Sequence, residues 1–257
     1  MTSTLEAVLK RDRLLVGSSL AGVAILTWLY LLRMGSEMAE MEMHAAMGMQ
    51  EWGAVEVLLL IVMWVVMMVA MMLPTAAPMI LTFATIHRRR FPQRQALTRT
   101  GIFLLGYVLV WGAFSIVAGL AQWGLHRAAL LSPGMVSTSP YLGALLLIAA
   151  GVFQWTPLKR TCLANCRSPL SFIMTAWREG SRGALVMGLR HGAYCVGCCW
   201  VLMSLLFVAG VMNFAWISAI AAFVLLEKVV PGGERVGRIA GACLIVAGVV
   251  LLTRLAP

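Results

Sequence analysis

The stretch Ala54-Val-Glu-Val-Leu-Leu-Leu-Ile-Val-Met63-Trp-Val-Val-Met67-Met68-Val-Ala-Met71-Met72-Leu73 carries a single charged residue, Glu56. A helix of about 20 apolar residues crosses the roughly 30 Å hydrocarbon core of a bilayer, so this stretch predicts a transmembrane helix. Comparable stretches recur at about 14 to 32, 101 to 123, 141 to 156, 192 to 211, 214 to 230 and 237 to 253. The chain therefore reads as all-α, a polytopic membrane helix bundle of about seven transmembrane helices. The fourth stretch is short, and the fifth begins as early as Leu185 if Arg190 and His191 lie inside the bundle.

Composition points the same way, with 61% apolar and 12% charged residues against about 45 to 50% apolar in soluble proteins. No Pro/Ser-rich linker or charge block divides the 257 residues, so a single domain spanning 1–257 is expected. The first apolar stretch follows Lys10-Arg11-Asp12-Arg13 and lacks a small-residue cleavage site, which makes it a retained anchor.

Lys and Arg of short loops stay on the cytoplasmic side. With the N-terminus cytoplasmic and the C-terminus periplasmic, seven crossings leave only Arg33, Arg127 and Arg254 of the 20 Lys and Arg outside. The net charge of +10 then answers anionic inner-leaflet lipid of a bacterial inner (cytoplasmic) membrane. No aromatic-interleaved basic patch suggests nucleic acid.

Three regions carry the chemistry. The outer loop, about 33–52, contains Met34-Gly-Ser-Glu-Met-Ala-Glu-Met-Glu-Met43-His44-Ala-Ala-Met47-Gly-Met49, with six Met, three Glu and one His. Thioethers bind Cu(I) without deprotonation and survive an oxidising compartment. Met43, His44 and Met47 are thus candidate capture ligands, and an amphipathic Met-lined lid is the plainer alternative.

The second region is the end of the quoted stretch, Met67-Met68-Val-Ala-Met71-Met72-Leu-Pro74-Thr-Ala-Ala-Pro78. On a helix Met63, Met67 and Met71 form one row and Met68 and Met72 the next. Pro74 and Pro78 each remove a donor, so a kink or break that frees the Ala70 carbonyl is predicted here. Met68, Met71 and Met72 are candidate thioether ligands; a Met-packed helix with an ordinary proline kink is the alternative.

The third region is a cytoplasmic connection of about 157–191 running into the fifth span. It carries Cys162-Leu-Ala-Asn-Cys166 and then His191-Gly-Ala-Tyr-Cys195-Val-Gly-Cys198-Cys199. Spacings of three and four place cysteines on one helix face, so thiolates from two elements are expected to meet. Arg160, Arg167, Arg190 and His191 would supply positive potential that favours thiolate. Such thiols stay reduced in the cytosol. Cys162, Cys166, Cys195, Cys198 and Cys199 are candidate thiolate ligands, and His191 a further ligand or proton acceptor. Lone Cys243 reads as a small apolar filler.

Glu227 and Lys228, close to the inner end of the sixth stretch, are expected to snorkel or to pair with Arg235 or Arg238. His87 and His126 read as interfacial. Gly188 with Gly192, and Gly237 with Gly241, match small-xxx-small helix packing.

Together, Ala70-Met-Met-Leu-Pro-Thr-Ala-Ala-Pro78, Lys159 with Cys162 and Cys166-Arg-Ser-Pro169, Gly188 with His191-Gly192 and Cys195-Val-Gly-Cys-Cys-Trp200, and Glu227-Lys228 resemble a family of uncharacterised bacterial integral membrane proteins regarded as metal-binding. The similarity runs from about Val55 to the end. It implies a multi-pass inner-membrane protein with metal binding by Cys and His and no assigned reaction. The Met-rich outer loop lies outside that pattern.

The expected function is binding of a soft transition metal, Cu(I) with zinc as the alternative, for transfer or delivery. The lipid bilayer, the metal ion and a membrane or periplasmic protein are the expected partners. Two rivals remain: a membrane thiol-disulfide oxidoreductase, and a structural accessory subunit of a larger membrane complex. No nucleotide-binding loop or hydrolytic constellation is visible, so ATP-driven pumping by this chain alone is not expected, and an enzymatic role rests on the oxidoreductase rival.

Overall fold

The computed structural model describes residues 2–44, 53–128, 139–211 and 213–255, with α1 side chains described for residues 12 and 14–34. These residues form helices α1 (Thr2–His44), α2 (Ala54–Arg90), α3 (Gln93–Arg127), α4 (Pro140–Phe153), α5 (Pro157–Arg167), α6 (Pro169–Ala176), α7 (Gly180–Ser204), α8 (Leu206–Ala209), α9 (Phe214–Val229) and α10 (Gly233–Leu255). No strand occurs among them.

Among the described residues, five helical segments are long and apolar enough to cross a membrane: Leu14–Met34, Ala54–Arg90, Gln93–Arg127, Gly180–Ala209 and Gly233–Leu255. A sixth arises if α4 and α5, bent by 64° at their junction, count as one. The expected count of seven is not reached on these grounds, because α9 has only 16 residues.

Two elements expected as loops are helical. α1 continues through His44, so the first part of the 33–52 segment is not a loop. The 157–191 connection folds into α5, α6 and the start of α7. Three Ser/Thr-Pro steps explain much of this, since proline at the first helical position wastes no hydrogen bond and its preset φ suits the turn. Ser139 precedes Pro140, Thr156 precedes Pro157, and Ser168 precedes Pro169. The Thr156 hydroxyl caps α5 by accepting from the Lys159 amide at 3.3 Å.

The double-proline segment also departs from expectation. α2 passes through Pro74 and Pro78 without a break. Pro74 cannot donate to the Ala70 carbonyl, and the indole Nε1–H of Trp28 donates to that oxygen instead, at 3.1 Å. A neighbouring helix thus supplies the donor that proline removes. Trp28 also meets Phe214 edge-on at 5.4 Å. Lower on α1, buried Asp12 pairs with Arg88 and accepts from Gln93 Nε2 at 3.0 Å. These contacts fix α1 against the corner where α2 turns into α3.

Glycines set the tightest crossings. A Cβ on Gly188 of α7 would lie 2.0 Å from the Phe103 carbonyl oxygen of α3, and one on Gly106 would lie 2.6 Å from the Leu185 carbonyl oxygen. Between α4 and α10, a Cβ on Gly151 would lie 2.6 Å from the Gly241 carbonyl oxygen, and one on Gly248 would lie 2.8 Å from that of Ala144. Backbones approach this closely only where no side chain intervenes. The α3–α7 contact places α7 beside α2, and the core between them is filled by Trp64, Met68, Met72, Phe103, Tyr107, Met187, Cys195 and Cys199, each 2% exposed or less.

Candidate metal centre

One buried face of α5 carries Lys159, Cys162, Leu163 and Cys166, at the three-and-four spacing of a single helical stripe. That stripe lies on α7, where Gly197 makes room for it: a Cβ there would come within 2.8 Å of Cys162 Sγ. One turn further along α5, the Cys166 thiol interacts with those of Cys195 and Cys198. The two cysteine groups, separated in sequence by about thirty residues, therefore meet in space.

Cys195 is the hub of the cluster. Its sulfur lies 3.1 Å from the Tyr107 hydroxyl and accepts from Lys228 Nζ at 3.0 Å. Its carbonyl oxygen accepts from the Cys198 thiol at 3.1 Å and from the Cys199 thiol at 3.0 Å. Cys199 Sγ is also 3.9 Å from Met72 Sδ, which brings α2 into the group. The Tyr107 hydroxyl donates to the Met72 carbonyl at 3.1 Å, and Lys228 Nζ donates to Thr75 Oγ1 at 3.0 Å. Helices α2, α3, α5, α7 and α9 thus all contribute.

All five clustered cysteines are free and buried, whereas Cys243 on α10 is exposed. Met68 and Met71 are buried on the same stretch of α2 as Met72, and Met72 Sδ touches a cysteine sulfur. His191 is buried one turn before Cys195, its ring stacked on Tyr107 at 5.6 Å and Phe103 at 6.0 Å. Its Nδ1 has no hydrogen-bond partner. The side chains of Met43 and His44, and all of Met47, lie outside the described residues. Among the described residues, no three His, Cys, Asp or Glu side chains stand in the close geometry of a preformed metal site.

Several electrostatic expectations are corrected. Arg160 and Arg190 are exposed, and Arg167 donates to the Val230 carbonyl at 2.6 Å. The cation at the sulfurs is Lys228, which neither snorkels nor meets Arg235 or Arg238. Glu227 also departs from expectation: it is 1% exposed and receives Lys159 Nζ at 2.8 and 2.7 Å. His87 is not interfacial, being 1% exposed and stacked between Phe83 at 4.1 Å and Trp177 at 4.9 Å.

Tyr107, Lys159, Thr75 and Lys228 are the site residues that sequence reasoning passed over or misplaced. A signal existed for Lys228. Consecutive residues of a helix point about 100° apart, so Glu227 and Lys228 could not share a single escape route to solvent. Tyr107 and Thr75 carried no such mark.

The donor set suits a soft ion, since thiolates and thioethers prefer Cu(I) and related metals. The comparisons with known proteins agree. No curated protein and no solved structure matches the chain. The family model PpoB2, described as a copper chaperone, matches residues 61–251, a range that contains every residue of this cluster. By that match, which agrees with the resemblance to a metal-binding family, the chain belongs to the PpoB2 copper chaperone family.

Proposed function

We propose that this protein is a multi-pass inner-membrane copper carrier, a single domain that takes Cu(I) onto the Cys166–Cys195–Cys198–Cys199–Met72 cluster and delivers it to a partner. The observation that carries this reading is that α2, α5 and α7 bury Met72, Cys166, Cys195, Cys198 and Cys199 side by side, with Cys199 Sγ 3.9 Å from Met72 Sδ and Lys228 Nζ on Cys195 Sγ. Ordinary apolar cysteines have no reason to converge with a methionine sulfur and an ammonium group at one place. Membership of a copper chaperone family supports copper over zinc as the cargo.

In this reading the chain crosses the membrane seven times, α9 included, with its N-terminus cytoplasmic and its C-terminus periplasmic. The distribution of Lys and Arg supports that orientation. The Cys198 and Cys199 thiols donate to the Cys195 carbonyl, and ion binding exchanges those hydrogen bonds for metal–sulfur bonds. Each ligating thiol then gives up its proton. Cys162, against Gly197, and His191, with its free Nδ1, flank the cluster as secondary donors. Met68 and Met71 line the approach along α2, and Met43, His44 and Met47 collect copper outside.

The test is copper and zinc content of the purified protein beside a Cys195→Ser/Cys198→Ser/Cys199→Ser variant. Stoichiometric copper in the parent and its loss from the variant are expected. The same near-zero metal in both would end the proposal.

A thiol-disulfide oxidoreductase is favoured by one observation, the proximity of Cys166 to Cys195 and Cys198. Differential alkylation of cells separates the two. A trapped Cys166–Cys195 or Cys166–Cys198 disulfide supports redox exchange, and reduced or metal-protected thiols support copper carriage.

A further inference from the structure

Lys228 is a buried ammonium group without a carboxylate. It is 8% exposed, and its Nζ reaches Thr75 Oγ1 and Cys195 Sγ, each at 3.0 Å. The carboxylate next to it in the chain, Glu227, points elsewhere and is engaged by Lys159. Among the described residues, the buried ionisable carboxylates are Glu227 and Asp12, and Asp12 is paired with Arg88. A buried charge is tolerated only when something compensates it. Of the two groups that Lys228 Nζ contacts, the one able to carry negative charge beyond a hydroxyl is the Cys195 sulfur.

This arrangement fixes one positive charge beside the cluster before any ion arrives. Two thiolates, the ammonium and a monovalent ion cancel. With a divalent ion the same two thiolates leave one positive charge uncompensated in a dry core. Restoring neutrality would require a third ionised thiol in the same small volume. Sulfur ligands alone do not separate Cu(I) from Zn(II), because thiolates hold both well. Fixed charge does separate them, through a difference in valence rather than in ligand type.

We propose that Lys228 is the specificity-determining residue of the cluster, a built-in counter-cation that makes it select a monovalent soft ion over a divalent one. This rests on the copper-carrier reading above and adds to it the basis of ion choice. Lys228 acts as a positioning and charge-setting residue and is not itself a ligand. Thr75 holds its ammonium against Cys195, which explains a threonine within the otherwise apolar 68–80 stretch of α2.

The experiment uses the full chain in detergent under reducing, anaerobic conditions. Competition titrations compare Cu(I) with Zn(II), and Ag(I) with Cd(II), the second pair being soft ions that differ mainly in charge. The proteins are the parent, Lys228→Met, Lys228→Gln and Lys228→Arg. The parent is expected to prefer the monovalent member of each pair. Both neutral variants should lose at least about tenfold of that preference, the modest end of what a unit charge a few Å away exerts inside a protein. Lys228→Arg should keep it. A merely structural lysine would lower all four affinities alike and leave the ratios unmoved. If Lys228→Met fails to fold, Lys228→Gln carries the comparison.

Unchanged ratios in a neutral variant that still takes up stoichiometric Cu(I) overturn the role of Lys228 and leave the copper cluster standing. A parent that binds Cu(I) but shows no preference for Ag(I) over Cd(II) does the same. A parent that binds no Cu(I) removes the copper-carrier reading first and this inference with it.

Discussion

Glu227 and Lys228 are neighbours on one helix, yet they feed two unlike buried clusters. Glu227 closes a pair with Lys159, to which Gln154 adds a further polar contact; opposite charges meet and the charge is balanced. Lys228 reaches a hydroxyl and a sulfur, and the sulfur that can answer its charge is itself a candidate metal ligand. The first cluster has the chemistry of a joint, tying α5 to α9 beneath α10. The second has the chemistry of a receptor. Burial is nearly the same in both, so burial alone does not mark function; the incomplete charge does.

The largest expected effect breaks the joint. Glu227→Gln leaves Lys159 buried without its counter-charge and should cost about 3 to 5 kcal/mol, read as a fall in thermal or denaturant midpoint. Lys159→Met combined with Glu227→Leu should restore much of that loss, because a matched apolar replacement of a buried pair is often close to neutral. A single variant as stable as the parent would show that the pair contributes nothing.

Next comes the packing that holds α7 in place. A Cβ at Gly188 would strike the Phe103 carbonyl oxygen, so Gly188→Leu should destabilise by about 1 to 3 kcal/mol or more. Gly101→Ala, where a Cβ meets nothing within 4 Å, is the control and should leave the midpoint where it is. Equal behaviour of the two would contradict the close α3–α7 crossing.

Met72→Leu sharpens the receptor side of the contrast. A volume-conserving change should cost less than about 1.5 kcal/mol of stability while lowering copper retention, since it removes the sulfur beside Cys199. Met71→Leu should do neither to the same degree. Retention that is identical for both would take the thioether out of the site.

Two smaller effects complete the series. Trp28→Phe withdraws the donor from the Ala70 carbonyl and should cost about 1 kcal/mol, measurable as faster hydrogen exchange near Pro74. Cys243→Ser should alter neither midpoint nor metal content, because this thiol is exposed and apart from the cluster.

Much of the fold was legible in the residues themselves. Long apolar runs announce helices, and glycines spaced by four mark crossings. The length of α1 and the helical nature of 157–191 were not legible, because the end of α1 and α5 are polar and α6 has only eight residues, too few for a hydropathy signal. The unbroken course of α2 through Pro74 depended on a tryptophan 42 residues away, which no local rule supplies.

The sequence by itself determined that sulfur would be concentrated on three faces, since helical periodicity fixes which residues share a stripe. It could not determine which stripe meets which. Cys199 found Met72 across 127 residues, Lys159 found Glu227 across 68, and Lys228 found Cys195 across 33. Those pairings follow from how helices cross, a property of close-packed side chains and glycine contacts distributed over the whole bundle. Periodicity assigns a residue to a face; only packing assigns that face a partner, and here the partner decides whether a buried charge is already answered or still open.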